Sequence, residues 1–306
     1  MALKQVLDIY ELLDNAQVDG SQVADLLTRR SADDVRVERV TGEQGYTDFL
    51  ACAIRGNGAG PTLGIIWQLG GIGARPAQIG LVSDADGAIV ALSVALKLAD
   101  LRRSGDTLPG DILITTHVCP RAPTLPHEPT PFMGSPVDIH AMLARQVQPE
   151  MRAILSVDTT RGNRVVNQRG FAISPTVKEG YILRVSEDLL NIMSWVTGKM
   201  PAVFPITTQD ITPYGNDLYH LNSIMQPATA TRAPVVGVAL TSEIPVPGPA
   251  TGANHVYDDE LATRFCVEVA KMFTAGRCQF YDAVEWQKIQ ARYGSLSFLQ
   301  KANREV

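Results

Sequence analysis

Four short runs rich in branched apolar residues punctuate the chain: TLGIIW (62–67), DILITT (111–116), MRAILSV (151–157) and APVVGVAL (233–240). Each is too short for an ordinary helix and lacks the polar alternation of a half-exposed strand, so each reads as a strand buried on both faces. Parallel strands of this kind need a crossover, and residues 87–101 supply one with apolar residues at helical spacing, closed by Ser104 and Gly105. Strands alternating with helices predict a three-layer α/β/α fold around a mixed, mostly parallel sheet. In such sheets binding and chemistry gather at the carboxyl ends of the strands.

The flanking segments fit the same scheme. Residues 3–30 show helical spacing broken at Gly20, with Ser21 placed to cap the second helix. VRVERV (35–40) and TDFLACAI (47–54) read as an antiparallel pair. A strand then a helix is expected in YILRVSEDLLNIMSWVTG, a helix in residues 258–273, and a terminal helix and tail in residues 276–306. Residues 120–136 hold six prolines, which excludes helix and central strand; a long loop starting at a strand end is a candidate for function.

With 306 residues, 45% of them hydrophobic, the chain can bury a full core, and one domain with N-terminal helices at 1–34 is expected. A formal charge of −5 gives no footprint for nucleic acid. No apolar run approaches the about eighteen residues of a membrane span, since Asp84, Asp86, Lys97 and Asp100 interrupt the most apolar region. The start of the chain carries early acids and no signal-peptide pattern, so a cytoplasmic address is the expectation. Cys52, Cys119, Cys266 and Cys278 form no CxxC pair, and in a reducing compartment they would be free thiols.

Residues able to carry chemistry sit where strands end. Asp84 and Asp86, in VSDADGA, precede the crossover helix; carboxylates there either cap it or serve as metal ligands. Asp158 closes the third apolar run and is followed by Thr159, Thr160 and Arg161. Cys119 follows the second run, near His117, Arg121 and His127, whose positive charge would favour a thiolate; the plain alternative is a small buried hydrophobe. His255 precedes the helix at 258–273, and Asp217, His220 and His140 are weaker candidates. The glycines of QLGGIGA match no nucleotide motif.

Over residues 35–275 the order of these segments resembles the co-catalytic zinc aminopeptidases of the M42, M28 and M20 type. The resemblance implies a zinc-peptidase-like domain without the inserted lid or dimerisation domain, for which residues 73–84 leave no room. It likens Asp84, or else Asp86, to the bridging aspartate, Asp158 to a metal-binding acid, His255 to the last histidine, and the segment around Asp217 to a glycine-rich turn. Gln68 and Gly70 stand where the family has a histidine and an aspartate. Cys119 and Pro120 stand where it has a pair of glutamates, so the standard mechanism does not carry over. The whole sequence also resembles a bacterial family of unknown function, DUF1177.

The expectation that follows is a hydrolase-like protein with an altered centre, acting on a small amide, peptide or amino-acid derivative. Asp84, Asp158 and His255 would hold one divalent metal, zinc or manganese, if any is bound. Cys119 and His117 would complete the site, and Gln68, Arg121 and Asp217 would contact a small-molecule or short-peptide ligand. A homo-oligomer is expected. Two alternatives stand beside it: a metal-free enzyme built on Cys119, and a binding or structural protein that keeps the scaffold without the chemistry.

Overall fold

The computed structural model describes residues 1–67, 71–206 and 223–300. Gln68, Gly70, Asp217 and His220 lie outside the described residues. In chain order the elements are α1 (Leu3–Asp14), α2 (Gly20–Arg29), β1 (Asp33–Gly42), β2 (Gly45–Ile54), β3 (Leu63–Trp67), α3 (Asp86–Arg103), β4 (Ile112–Val118) and the two-residue strands β5 (Thr124–Leu125) and β6 (Phe132–Met133). There follow α4 (Ile139–Gln146), β7 (Ala153–Thr159), β8 (Gly170–Ile173), β9 (Val177–Lys178), β10 (Tyr181–Ile182), α5 (Glu187–Thr197), β11 (Val235–Thr241), α6 (Val256–Thr274) and α7 (Ala283–Tyr293).

One sheet runs in the order β1-β2-β4-β3-β7-β11-β9-β10, with β8 also paired to β11. Its central strands β4, β3, β7 and β11 are parallel to their neighbours in that series, and both edges are antiparallel. Period-two alternation divides each central strand between two apolar layers. Ile65, Leu155, Val157, Val236 and Val238 join the layer shared with α1, α3 and α6, while Ile66, Ile154, Val235 and Ala239 face a second layer that includes Met151, Phe204 and Met225. The result is a three-layer α/β/α fold, with the four parallel strands ending on one edge.

The crossover helix differs in character from its expected amphipathic form. α3 is wedged among α1, α6 and the sheet, and residues Asp86–Leu96 are buried on every side. Gly87 makes this fit possible, because a Cβ there would lie 1.9 Å from Trp67 Cδ1. The helix stops at Ser104 and Gly105, the latter at φ +102°, where only glycine is unstrained. The cap of α2 is Asp19 and not Ser21: its side chain accepts from the Gln22 N–H, so the helix begins two residues earlier. The proline-rich loop contributes the β5–β6 ladder, apart from the main sheet, and an isolated bridge between Arg121 and Ala74. Among the described residues no helix is long and apolar enough to cross a membrane.

Candidate functional site

Two acids share the seam where β3 and β7 end. Asp158 is the sixth residue of β7, 4% exposed, and its Oδ1 accepts from the Thr159 N–H at 2.7 Å. The Thr159 hydroxyl in turn donates to Ser83 O at 3.0 Å, bringing the end of β7 against the turn that leads into α3. Asp84 follows in that turn and, unlike its neighbours, is partly exposed; its Oδ2 accepts from the Gly71 N–H at 3.1 Å. The loop after β11 closes the third side, with Ser83 N donating to Thr251 O at 2.6 Å and Asp84 N to Pro249 O at 3.3 Å.

Beneath the seam lies a cluster of buried charge. Asp86, the first residue of α3, is fully buried and pairs with the Arg161 guanidinium, which enters from the loop after β7. Its other oxygen accepts from Asn254 Nδ2, which also donates to Val82 O at 2.9 Å. Asp258 and Asp259, in the first turn of α6, are 2% and 0% exposed. Burial holds the Asp259 carboxyl well above the usual carboxylate range, with the Arg161 charge pulling it down and Asp258 adding to the rise. Among the described residues neither Asp259 oxygen has a hydrogen-bond partner. Burial likewise lowers the Arg161 guanidinium, against the pull of Asp259 and Asp258. Asp86 is therefore committed to the interior, and Asp84 is the acid of the SDADGA pair that reaches the crevice.

The end of β4 has the opposite character. His117 is fully buried, its ring stacked on Trp67 at 4.5 Å between centroids and tilted against Phe49 at 5.6 Å. Its Nδ1 shares a 2.8 Å hydrogen bond with the Thr47 hydroxyl, and Nε2 has no hydrogen-bond partner among the described residues. Burial lowers its pKa to about 3, far from the range in which a general acid or base works. Cys119 is 1% exposed, packed with Ala74, Val82, Ala122, Met133 and Ala250, and its Sγ lies 3.5 Å from Tyr46 O. Burial pushes the thiol up to about 12. The cationic surroundings expected for a thiolate are absent from this pocket: Arg121 is exposed, and His127 is taken up by Thr130 O at 3.0 Å and the Phe132 ring. Cys119 is thus the small buried hydrophobe of the two sequence readings, because apolar packing disfavours its charged form.

His255 is exposed and occupies the N-cap position of α6 without a side-chain capping bond. Among the described residues no three side chains of the His, Cys, Asp and Glu types are grouped to hold a metal ion. Asp84, Asp158 and His255 are brought to one edge of the sheet without forming such a group. Arg161, Asn254, Asp258 and Asp259 were not singled out as site residues in the sequence. Only the strand-end position of Arg161 offered a signal, since acids in a first helical turn ordinarily face solvent.

A three-layer sandwich with its polar residues at the ends of a parallel strand series is the architecture of zinc exopeptidases and their relatives. The bottromycin maturation enzyme BotP matches with a TM-score of 0.53 and 14% identity over 90% of this chain and 70% of that one. A Zn-dependent exopeptidase from Parabacteroides distasonis matches at 0.52 and 12%, over 88% and 96%. Cytosol aminopeptidase from Coxiella burnetii matches at 0.51 and 14%, over 87% and 68%. At these identities the likeness is one of fold. No curated protein matches the chain in sequence. Residues 38–303 match the model of the family described as protein of unknown function, DUF1177, and the chain belongs to that family.

Proposed function

We propose that the chain is an enzyme of the hydrolase class acting on a small amide, peptide or amino-acid derivative, with Asp158 and Asp84 as its working carboxylates. The observation that carries this reading is the tie between Thr159 and Ser83, which brings the end of β7, with Asp158, against the turn before α3 that carries Asp84. Open α/β sheets place their ligands at such a crevice. One carboxylate there can accept a proton from water or from a substrate N–H while the other orients the amide. A catalytic zinc takes three protein ligands and an open position, whereas the described residues offer two acids at the seam. Manganese, which accepts oxygen ligands and retained waters, suits two carboxylates better than zinc.

A second reading, a binding protein without turnover, is favoured by the inert end of β4, where a thiol and an imidazole are both held neutral. The test is a panel of aminoacyl and dipeptidyl amides incubated with wild type, Asp158→Asn and Asp84→Asn, with products read by mass spectrometry and metal content measured on the same samples. Product formation lost in both variants supports the enzyme. Amides that stabilise the wild type against heat without being cleaved would replace it with the binding protein.

A further inference from the structure

The buried charge under the crevice has no evident purpose in stability. A buried ion pair with its desolvation cost is commonly no better for stability than apolar residues of the same volume, and its retention is best explained where an arrangement must be unique. Here four charged side chains, Asp86, Arg161, Asp258 and Asp259, occupy the interior between the starts of α3 and α6 and the end of β7. Four features tie them to the site.

Arg161 lies three residues beyond Asp158, and Asp86 two residues beyond Asp84, so the ion pair joins the two loops that carry the crevice acids. Asn254, bound to the second Asp86 oxygen and to Val82 O, brings in the loop after β11 immediately before His255. Arg161 also offsets Asp259, in the first turn of α6, while the neighbouring Asp258 pairs in addition with Arg169 at 3.5 Å. Gly162 then turns the chain sharply: its φ is +42°, and a Cβ there would stand 2.3 Å from Ile244 O, so the strap that presents Arg161 is pressed against the loop after β11.

We infer that the Arg161–Asp86 pair, with Asn254 on its far side, is the latch that sets the relative placement of Asp84 and Asp158. This inference rests on the reading of those two acids as the working pair, and it makes Arg161, Asp86 and Asn254 positioning residues. They contact the loops and not the substrate. Neutralising either ion partner frees one loop from the other, so both crevice carboxylates change their surroundings together.

Aspartate labelled with ¹³C at the side-chain carboxyl reports this directly, with the Asp84 and Asp158 resonances assigned from Asp84→Asn and Asp158→Asn. Arg161→Gln is expected to displace both resonances, Arg161→Lys to restore them toward their wild-type positions, and Asn254→Ala to displace that of Asp84. Leu27→Ala, a core truncation in α2, supplies a destabilised control in which neither moves. Both resonances unmoved in folded Arg161→Gln, or moved equally in Leu27→Ala, would overturn the latch. Where Arg161→Gln does not fold, Asn254→Ala decides: the Asp84 resonance at its wild-type position there refutes the latch. The amide panel stands apart from this outcome. Turnover unaffected by Asp158→Asn removes the functional reading while the resonances still report the latch.

Discussion

The ends of β4 and β7 lie on the same edge of one sheet, each delivering residues capable of chemistry, and the fold treats them in opposite ways. At β7, Asp158 accepts from the Thr159 N–H, and Thr159 and Arg161 just beyond it tie the strand end to the turn that carries Asp84 and Asp86. At β4, His117 and Cys119 are sealed among aromatic and small apolar side chains that hold both neutral. Reactivity depends on the stabilisation of a charged form, which residue type alone does not supply. A thiol and an imidazole two residues apart become packing, while an aspartate that could have been a helix cap becomes the centre of a polar seam.

That contrast can be broken most forcefully at the latch. Arg161→Met leaves Asp86 buried without its cation and is expected to cost about 3–5 kcal/mol, read as a lowered urea midpoint with unchanged slope. A loss within experimental error of zero would mean that the seam is as apolar in its energetics as the end of β4. Gly87→Ala is the next in size. Its methyl would collide with the Trp67 ring, costing toward the upper end of about 1–3 kcal/mol, and would disturb the Trp67–His117 stack, visible as a change in tryptophan fluorescence.

The pH dependence sharpens the other side. His117 has a folded value of about 3, below the about 6.5 of an unfolded imidazole, so the stability it contributes is complete above that and is lost as pH falls toward 3. Between pH 7.5 and 5 the wild type is expected to lose about 2 kcal/mol through this group, and His117→Asn to lack that part of the loss. Cys119→Ala is the smallest change, about 1 kcal/mol, since it removes one small buried group. In the native protein at neutral pH, Cys119 is expected to resist iodoacetamide and to react only on unfolding; rapid native labelling would return it to the list of working groups.

Much of the fold is legible in the sequence because β3, β4, β7 and β11 each need a continuous apolar run to be buried on both faces. α4 and β8 escape because IHAMLARQ and GFAI are short and take their stability from tertiary packing rather than from their own periodicity. In the site, Asp84 and Asp158 are readable as acids at the ends of apolar runs. The pairing of Arg161 with Asp86 is not, since 74 residues separate them and each has an ordinary local explanation. The deep burial of Cys119 follows from side chains contributed by three separate segments, after β3, β4 and β11, and is equally invisible along the chain.

The central claim is that the seam works and the end of β4 does not. Its most direct test is the rate of amide hydrolysis in Asp158→Asn and Cys119→Ala, measured side by side on the amide the wild type cleaves best. The account expects Asp158→Asn to lose at least about 100-fold, the scale of a missing acid or base, and Cys119→Ala to stay within a few-fold of wild type. The reverse pattern, with Cys119→Ala inactive and Asp158→Asn unimpaired, would contradict it.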